Sequence, residues 1–311
     1  MFNALVLNQE DKRTIASIEQ IDETQLPEGD VLVEVDYSSL NYKDGLAITG
    51  KGKIIRNFPM VPGIDLAGTV VSSEDGRYQT GDKVVLTGWG VGENHWGGMA
   101  QRARLKADWL VPLPKGLDSK KAMMVGTAGF TAMLCVQALL DADIKPEAGE
   151  ILVTGASGGV GSVAVALLAQ LGYKVAAVTG RASVNGELLK SLGATRIVER
   201  AELEEPAKPL EKQLWAGAID TVGSKVLAKA LSQTNYGGVV AACGLAGGFD
   251  LPTTVMPFIL RNVRLQGINS VMCPKDKRLA AWDSIADLLP ARFYDSASTS
   301  ISLEETPDYA E

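Results

Sequence analysis

Histidine and cysteine are nearly missing from this chain. Its 311 residues hold one histidine, His95, and three cysteines, Cys135, Cys243 and Cys273. Three cysteines in so long a chain exclude a disulfide-stapled scaffold. One histidine and no closely spaced cysteine pair leave too few ligands for a catalytic zinc, which takes about three from the protein. There is no excess of basic charge either: 30 Lys and Arg stand against 37 Asp and Glu, a net charge of −7. That balance argues against a general nucleic-acid binder. The 33 glycines follow no period of three, which excludes collagen, and no internal repeat or low-complexity tract is present. The N-terminus has no basic region and no long apolar run, so no signal peptide is expected. No stretch is expected to reach the ~18 apolar residues of a membrane span. These absences together lead to the expectation of a soluble cytoplasmic protein with reduced thiols.

What is present is an ordinary globular interior. Hydrophobic residues make up 46% of the chain, too many for disorder at this net charge. The length suits about two domains. Up to about residue 115 the texture is strand-like. Residues 31–35, 67–71, 83–86 and 101–106 read as strands, separated by Gly29-Asp30, Asp75-Gly76 and Gly81-Asp82 turns. Arg102, Arg104 and Lys106 alternate with apolar residues, as on the wet face of a strand.

From about residue 119 helix and strand alternate. Helices are expected over 119–140, 162–171, 187–192 and 275–289. Strands are expected over 151–154, 174–178, 196–198, 218–220, 238–243 and 263–268. Near-continuous apolar strands between helices indicate a parallel sheet covered on both faces, so the fold class is α/β with a doubly wound sheet. At the end, residues 302–311 read either as a frayed terminus or as the opening of a helix that continues in a longer chain.

The strongest local signal is the run Gly155-Ala156-Ser157-Gly158-Gly159-Val160-Gly161. It follows a buried strand and opens a helix, the setting in which such a loop binds a dinucleotide. Gly158 lets the backbone approach a pyrophosphate, Gly161 lets helix and strand pack closely, and the helix N-terminus supplies N–H groups and a positive dipole end. An NAD site places an acid at the end of the second strand. Here that strand ends Val178-Thr179-Gly180-Arg181 with none. Thr179 can donate to a 2′-phosphate, Gly180 leaves room for it and Arg181 can pair with it, so NADPH is expected. Arg200, after the third strand, either adds charge on the adenine side or is a solvated surface residue.

Asn41-Tyr42-Lys43-Asp44, Pro62-Gly63-Ile64-Asp65-Leu66-Ala67-Gly68, Trp96-Gly97-Gly98, the stretch from Gly126-Thr127 to Ala132 and the 154–161 loop follow one another in order. In this arrangement the chain resembles the medium-chain dehydrogenases/reductases of the quinone-oxidoreductase branch, and more narrowly the acryloyl-CoA reductase (NADPH) subfamily. The resemblance implies a GroES-like catalytic domain, residues 1–120 and 272–311, with a Rossmann NADPH-binding domain, residues 121–271, inserted into it. It implies a cofactor held between domains and a homodimer formed through the Rossmann sheet. Zinc-dependent relatives carry Gly-His-Glu where this chain has Gly63-Ile64-Asp65, so a zinc-free reaction is expected.

Without a Lewis acid the acceptor must already be electrophilic, as is the C=C of an enoyl thioester, an enone or a quinone. Tyr42 is the candidate proton donor or oxyanion partner, and packing against nicotinamide or substrate is its alternative. Asn41 and Asp44 fix the loop, and Asp65 does the same. Thr127 is expected beside the nicotinamide, Cys243, Leu245 and Ser270 are expected at strand ends facing the cofactor, and the resemblance implies cofactor contacts around Leu245, Ile259 and Ser270. Cys243 and Cys273 read as small buried hydrophobes rather than reactive thiols. His95 reads as structural, with proton donation as its alternative. Lys43, Lys51, Lys53 and Arg56 form a basic loop in an acidic chain. It either attracts the phosphates of CoA or is a solvated surface. Acryloyl-CoA is the expected substrate, and a quinone or general enone is the alternative.

Overall fold

The computed structural model describes residues 1–296 and 298–311. The chain forms two compact units. The first comprises Met1–Thr127, Ser270–Leu279 and Ser298–Glu311, and the second Ala128–Asn269 and Ala280–Ala297.

The first unit opens on an antiparallel hairpin, β1 (Phe2–Glu10) and β2 (Arg13–Ile21). The sequence reading missed this hairpin. Its turn, Asp11 and Lys12, takes positive φ without glycine and so carries no turn signal. Next come β3 (Val31–Tyr37), α1 (Tyr42–Ile48), β4 (Asp65–Ser73), β5 (Lys83–Thr87), β6 (Arg102–Leu105) and β7 (Val111–Pro112). The last five strands form one antiparallel sheet in the order β6-β3-β4-β5-β7. Alternate residues of these strands, among them Val31, Val33, Leu66, Val84, Leu86 and Leu105, close a core against Leu110 and Tyr78.

α2 (Ser119–Asp141) is broken at Gly126, which has φ 53°. Its length and apolar composition would suffice to cross a membrane, which corrects the expectation that no segment would. However, 67% of its apolar stretch is buried inside the protein, so it is a core helix.

The second unit continues with β8 (Glu150–Val153), α3 (Gly159–Gln170), β9 (Val175–Thr179), α4 (Ala182–Leu192), β10 (Arg196–Glu199), α5 (Ala201–Glu204), β11 (Trp215–Asp220), α6 (Ser224–Gln233), β12 (Thr234–Ala242), α7 (Met256–Arg261) and β13 (Arg264–Gly267). The six strands are all parallel, in the order β10-β9-β8-β11-β12-β13. This is the dinucleotide-binding arrangement, and its order reverses between β8 and β11. β8, β9 and β11 are almost wholly buried, as their unbroken apolar runs require.

The chain ends with α8 (Lys275–Leu288), α9 (Ala291–Ser296) and α10 (Thr306–Ala310). Residues 280–297 group with the second unit, where buried Trp282 stacks on Phe130 with ring centroids 6.2 Å apart.

Candidate active site

In the first unit the polar residues converge on Asp65, which is fully buried at the start of β4. The chain leaves β3 through Ser38 and Ser39 and starts α1 at Asn41, its N-cap. Ser39 donates to the Asp65 carboxylate from its N–H at 2.9 Å and from its hydroxyl at 2.7 Å. Asn41 Nδ2 donates at 3.1 Å. Thr127 donates from its N–H and from its hydroxyl, both at 2.8 Å. The break at Gly126 makes the last two bonds possible. A Cβ there would stand 2.5 Å from Ser39 Oγ and 3.1 Å from Asp65 Oδ2.

Asp44, also buried, caps the first turn of α1 by accepting from Asn41 N–H at 2.9 Å. Its other oxygen accepts from the N–H groups of Gly63 and Ile64, each at 3.1 Å. Burial and the nearby Asp65 carboxylate push its acid up to about 7, against the pull of these hydrogen bonds. Thus three of the residues expected to form the site, Asn41, Asp44 and Thr127, are brought together: Asp65 links Asn41 to Thr127, and Asp44 joins them through the Asn41 N–H.

Tyr42 occupies the first position of α1 and is 73% exposed. It begins a helix, where the sequence reading placed it simply beyond a strand. Lys43 ion-pairs with Glu93. Lys51 lies against Glu311, its ammonium donating to the carbonyl at 3.2 Å, while Lys53 and Arg56 are exposed. His95 donates from Nε2–H to the Arg104 carbonyl, 2.7 Å away, and sits edge-on to Trp109. Burial lowers its pKa. This is a structural position.

Ser270 is fixed by a residue the sequence did not announce. Buried Arg278 donates to the carbonyl of Thr87 at 2.6 Å and to those of Ser270, Val271 and Cys273 at 3.2, 3.3 and 3.3 Å, with its guanidinium over the Trp89 ring. Burial brings its pKa down to about 10. Cys273 is buried, and burial raises its thiol. Among the described residues no three His, Cys, Asp or Glu side chains group as a metal site.

In the second unit the Gly-rich loop joins β8 to α3, with Gly158 as the N-cap. A Cβ on Gly161 would stand 2.3 Å from the Gly155 carbonyl oxygen, so this turn of α3 can touch the strand only as glycine. Ala156 is fully buried below the loop, and Gly158, Gly159 and Val160 lie toward its outer side. Beneath it, Thr154 donates to Asp220 at 2.7 Å, and Asp220 also accepts from Gly223 N–H at 2.7 Å. These bonds tie the ends of β8 and β11 together. Burial raises the pKa of Asp220.

A cavity of ≈ 910 Å³ opens at these strand ends. It is lined by Ser157, Gly158, Thr179, Gly180, Arg181 and Arg200, which the sequence predicted, and by Glu204, Ser224 and Lys225, which it did not. Ser157 and Thr179 hydroxyls are 3.2 Å apart, and Arg181 N–H donates to Thr179 Oγ1 at 3.2 Å. The Arg200 guanidinium lies over Gly180, where a Cβ would come within 3.0 Å of its central carbon. The hydroxyls, cations and α3 N-terminus suit a polyanionic dinucleotide.

Not all expected contacts line this cavity. Cys243 Sγ stands 3.5 Å from the Asp220 carbonyl and Leu245 is 65% exposed; of this loop only Ala246 and Gly247 line the cavity. Ile259 is exposed on α7. Tyr42, Thr127 and Ser270 belong to the first unit.

Residues 27–115 match the alcohol dehydrogenase GroES-like domain and residues 159–287 the zinc-binding dehydrogenase domain. The chain is 67% identical to a probable acrylyl-CoA reductase AcuI of Escherichia coli, over 99% of this chain and 94% of that protein. It is 46% identical to a putative quinone oxidoreductase YhfP of Bacillus subtilis, over 99% and 93%. The yhdH oxidoreductase of Salmonella enterica, solved in complex with NADP, superposes with a TM-score of 0.97 at 66% identity, covering 99% of this chain and 94% of that one. With its GroES-like sheet, its six-stranded parallel sheet and these relatives, the chain belongs to the medium-chain dehydrogenase/reductase family, on the quinone-oxidoreductase branch that includes the acrylyl-CoA reductases.

Proposed function

We propose that this chain reduces the C=C bond of acryloyl-CoA to propionyl-CoA with NADPH and without zinc. The observation that carries the reading is the cationic, hydroxyl-lined cavity at the ends of β8 and β9, in a chain 67% identical to a probable acrylyl-CoA reductase. Ser157, Thr179, Arg181 and Arg200 hold the 2′-phosphate end of the cofactor. The 156–161 loop and the α3 N-terminus hold the pyrophosphate.

When bound, NADPH supplies the hydride for the β-carbon of the alkene. The Tyr42 hydroxyl donates toward the thioester oxygen as charge develops there, or gives the proton to the α-carbon. Asn41, Asp44 and Asp65 hold Tyr42 at the start of its helix, and Thr127 is fixed by the same carboxylate for contact with the nicotinamide. Cys243, Leu245, Ile259 and Ser270 complete the cofactor contacts. Asp65 spends its lone pairs on five donors of the protein, which favours an organising role over a metal-binding one. Lys51, Lys53 and Arg56 attract the CoA phosphates, and Lys43, through Glu93, steadies α1.

We assign the first compact unit to catalysis and the second to NADPH binding, so that α8 runs from the one into the other instead of lying wholly within a 272–311 catalytic segment. The chain pairs with a second copy through the open edge of β13, the last strand of the parallel sheet. Its three cysteines are free, which suits a cytoplasmic enzyme.

The test is nicotinamide oxidation by the purified chain with NADPH or NADH and with acryloyl-CoA or a small quinone. Turnover confined to NADPH and acryloyl-CoA is expected. Turnover with the quinone alone would replace the proposal by the quinone-reductase reading, which the resemblance to YhfP favours.

A further inference from the structure

The end of β9 lacks the acid that marks an NAD site, yet the folded cavity contains one. Glu204, the last residue of α5, lines the cavity beside Arg181, Arg200 and Lys225. Its Oε1 lies 2.9 Å from Nε of Arg200, one turn back. The two side chains are 52% and 55% exposed. The same guanidinium rests on the face of Gly180.

We propose that Glu204 tunes the selectivity of this site between NADPH and NADH by acting as an internal counter-anion to Arg200. The role rests on the NADPH reading above and concerns its 2′-phosphate end. Glu204 engages Arg200 at Nε, on the inner side of the guanidinium. It therefore holds the cation in place over Gly180 while offsetting part of its charge. A 2′-phosphate arriving at Arg200 meets a carboxylate within one side-chain length, and the two anions repel. NADH has only neutral ribose hydroxyls at that position, so the carboxylate opposes it much less. The sequence could not show this, because Glu204 follows the third strand and reaches the end of the second only through the parallel pairing of β9 and β10.

Nucleotide affinity measured by nicotinamide fluorescence separates position from charge. Glu204→Gln keeps an oxygen for Arg200 Nε and removes the negative charge. It is expected to tighten NADPH by roughly two- to fivefold at low salt and to raise the NADPH-to-NADH affinity ratio equally, with the gain shrinking at high salt. In an Arg200→Ala background the substitution is expected to lose most of this effect. An unchanged ratio, weaker NADPH binding, or the same gain without Arg200 would each overturn the role while leaving the NADPH reading intact. Failure of the unaltered chain to bind NADPH would overturn that reading and the role of Glu204 with it.

Discussion

The two units organise polar groups in opposite ways. In the first, Ser39, Asn41 and Thr127 turn inward and satisfy a buried carboxylate, Asp65. In the second, Ser157, Thr179, Arg181 and Arg200 face a cavity, and the glycines around them keep the backbone low. One arrangement is complete within the protein and fixes geometry. The other leaves donors for something that is not protein. Buried polar groups without partners are costly, so a satisfied network contributes stability while an open donor set is solvated until a ligand arrives.

This contrast can be broken at its strongest point. Asp65→Ala would strand five donors from two segments, residues 39–41 and Thr127, in a buried site. A loss of more than about 3 kcal/mol in unfolding free energy is expected, with a fall in turnover and folded protein recovered by Asp65→Glu only in part. Urea denaturation measures it, and a loss below about 1 kcal/mol would show that the network does not organise this unit.

The open site should behave differently. Arg181→Ala is expected to leave stability nearly unchanged and to weaken NADPH by about 10- to 100-fold, the worth of one charge-assisted phosphate contact. NADH should weaken far less. Equal losses for both nucleotides, measured by the same titration, would remove Arg181 from the 2′-phosphate.

A finer distinction lies in pH. The Asp44 acid is raised from 3.8 to about 7, so the folded state holds a proton that the unfolded state releases. The stabilisation this proton gives is complete below pH 3.8 and is lost as the pH rises through about 7. Its contribution to the slope is at most about 1.4 kcal/mol per pH unit. Asp44→Asn should flatten the stability curve between those limits, and parallel curves for the two proteins would count against it. No comparable change is expected from Arg181→Ala.

The cofactor loop was legible in the sequence because its signal is local: strand, glycines and helix are contiguous. The parallel sheet was legible for the same reason, since its central strands β8, β9 and β11 are short apolar runs. The Asp65 network was not, because its partners lie 24 to 62 residues away and each alone is an ordinary polar residue. Glu204 and Lys225 escaped notice because the fold, not their neighbours in sequence, brings them to the cavity. Arg278 escaped because a basic residue in an amphipathic helix reads as solvated, whereas here it is buried against carbonyls.

The sharing of one carboxylate by three residues also bears on how such a site can change. A substitution at Ser39, Asn41 or Thr127 alters the acceptor on which the other two depend, so their effects will not add. A lineage drifting toward another acceptor, or a laboratory selecting for one, would meet intermediates poorer than either end. The turn that leads into Tyr42 and the bend at Gly126 would have to be exchanged together, as a single inherited block.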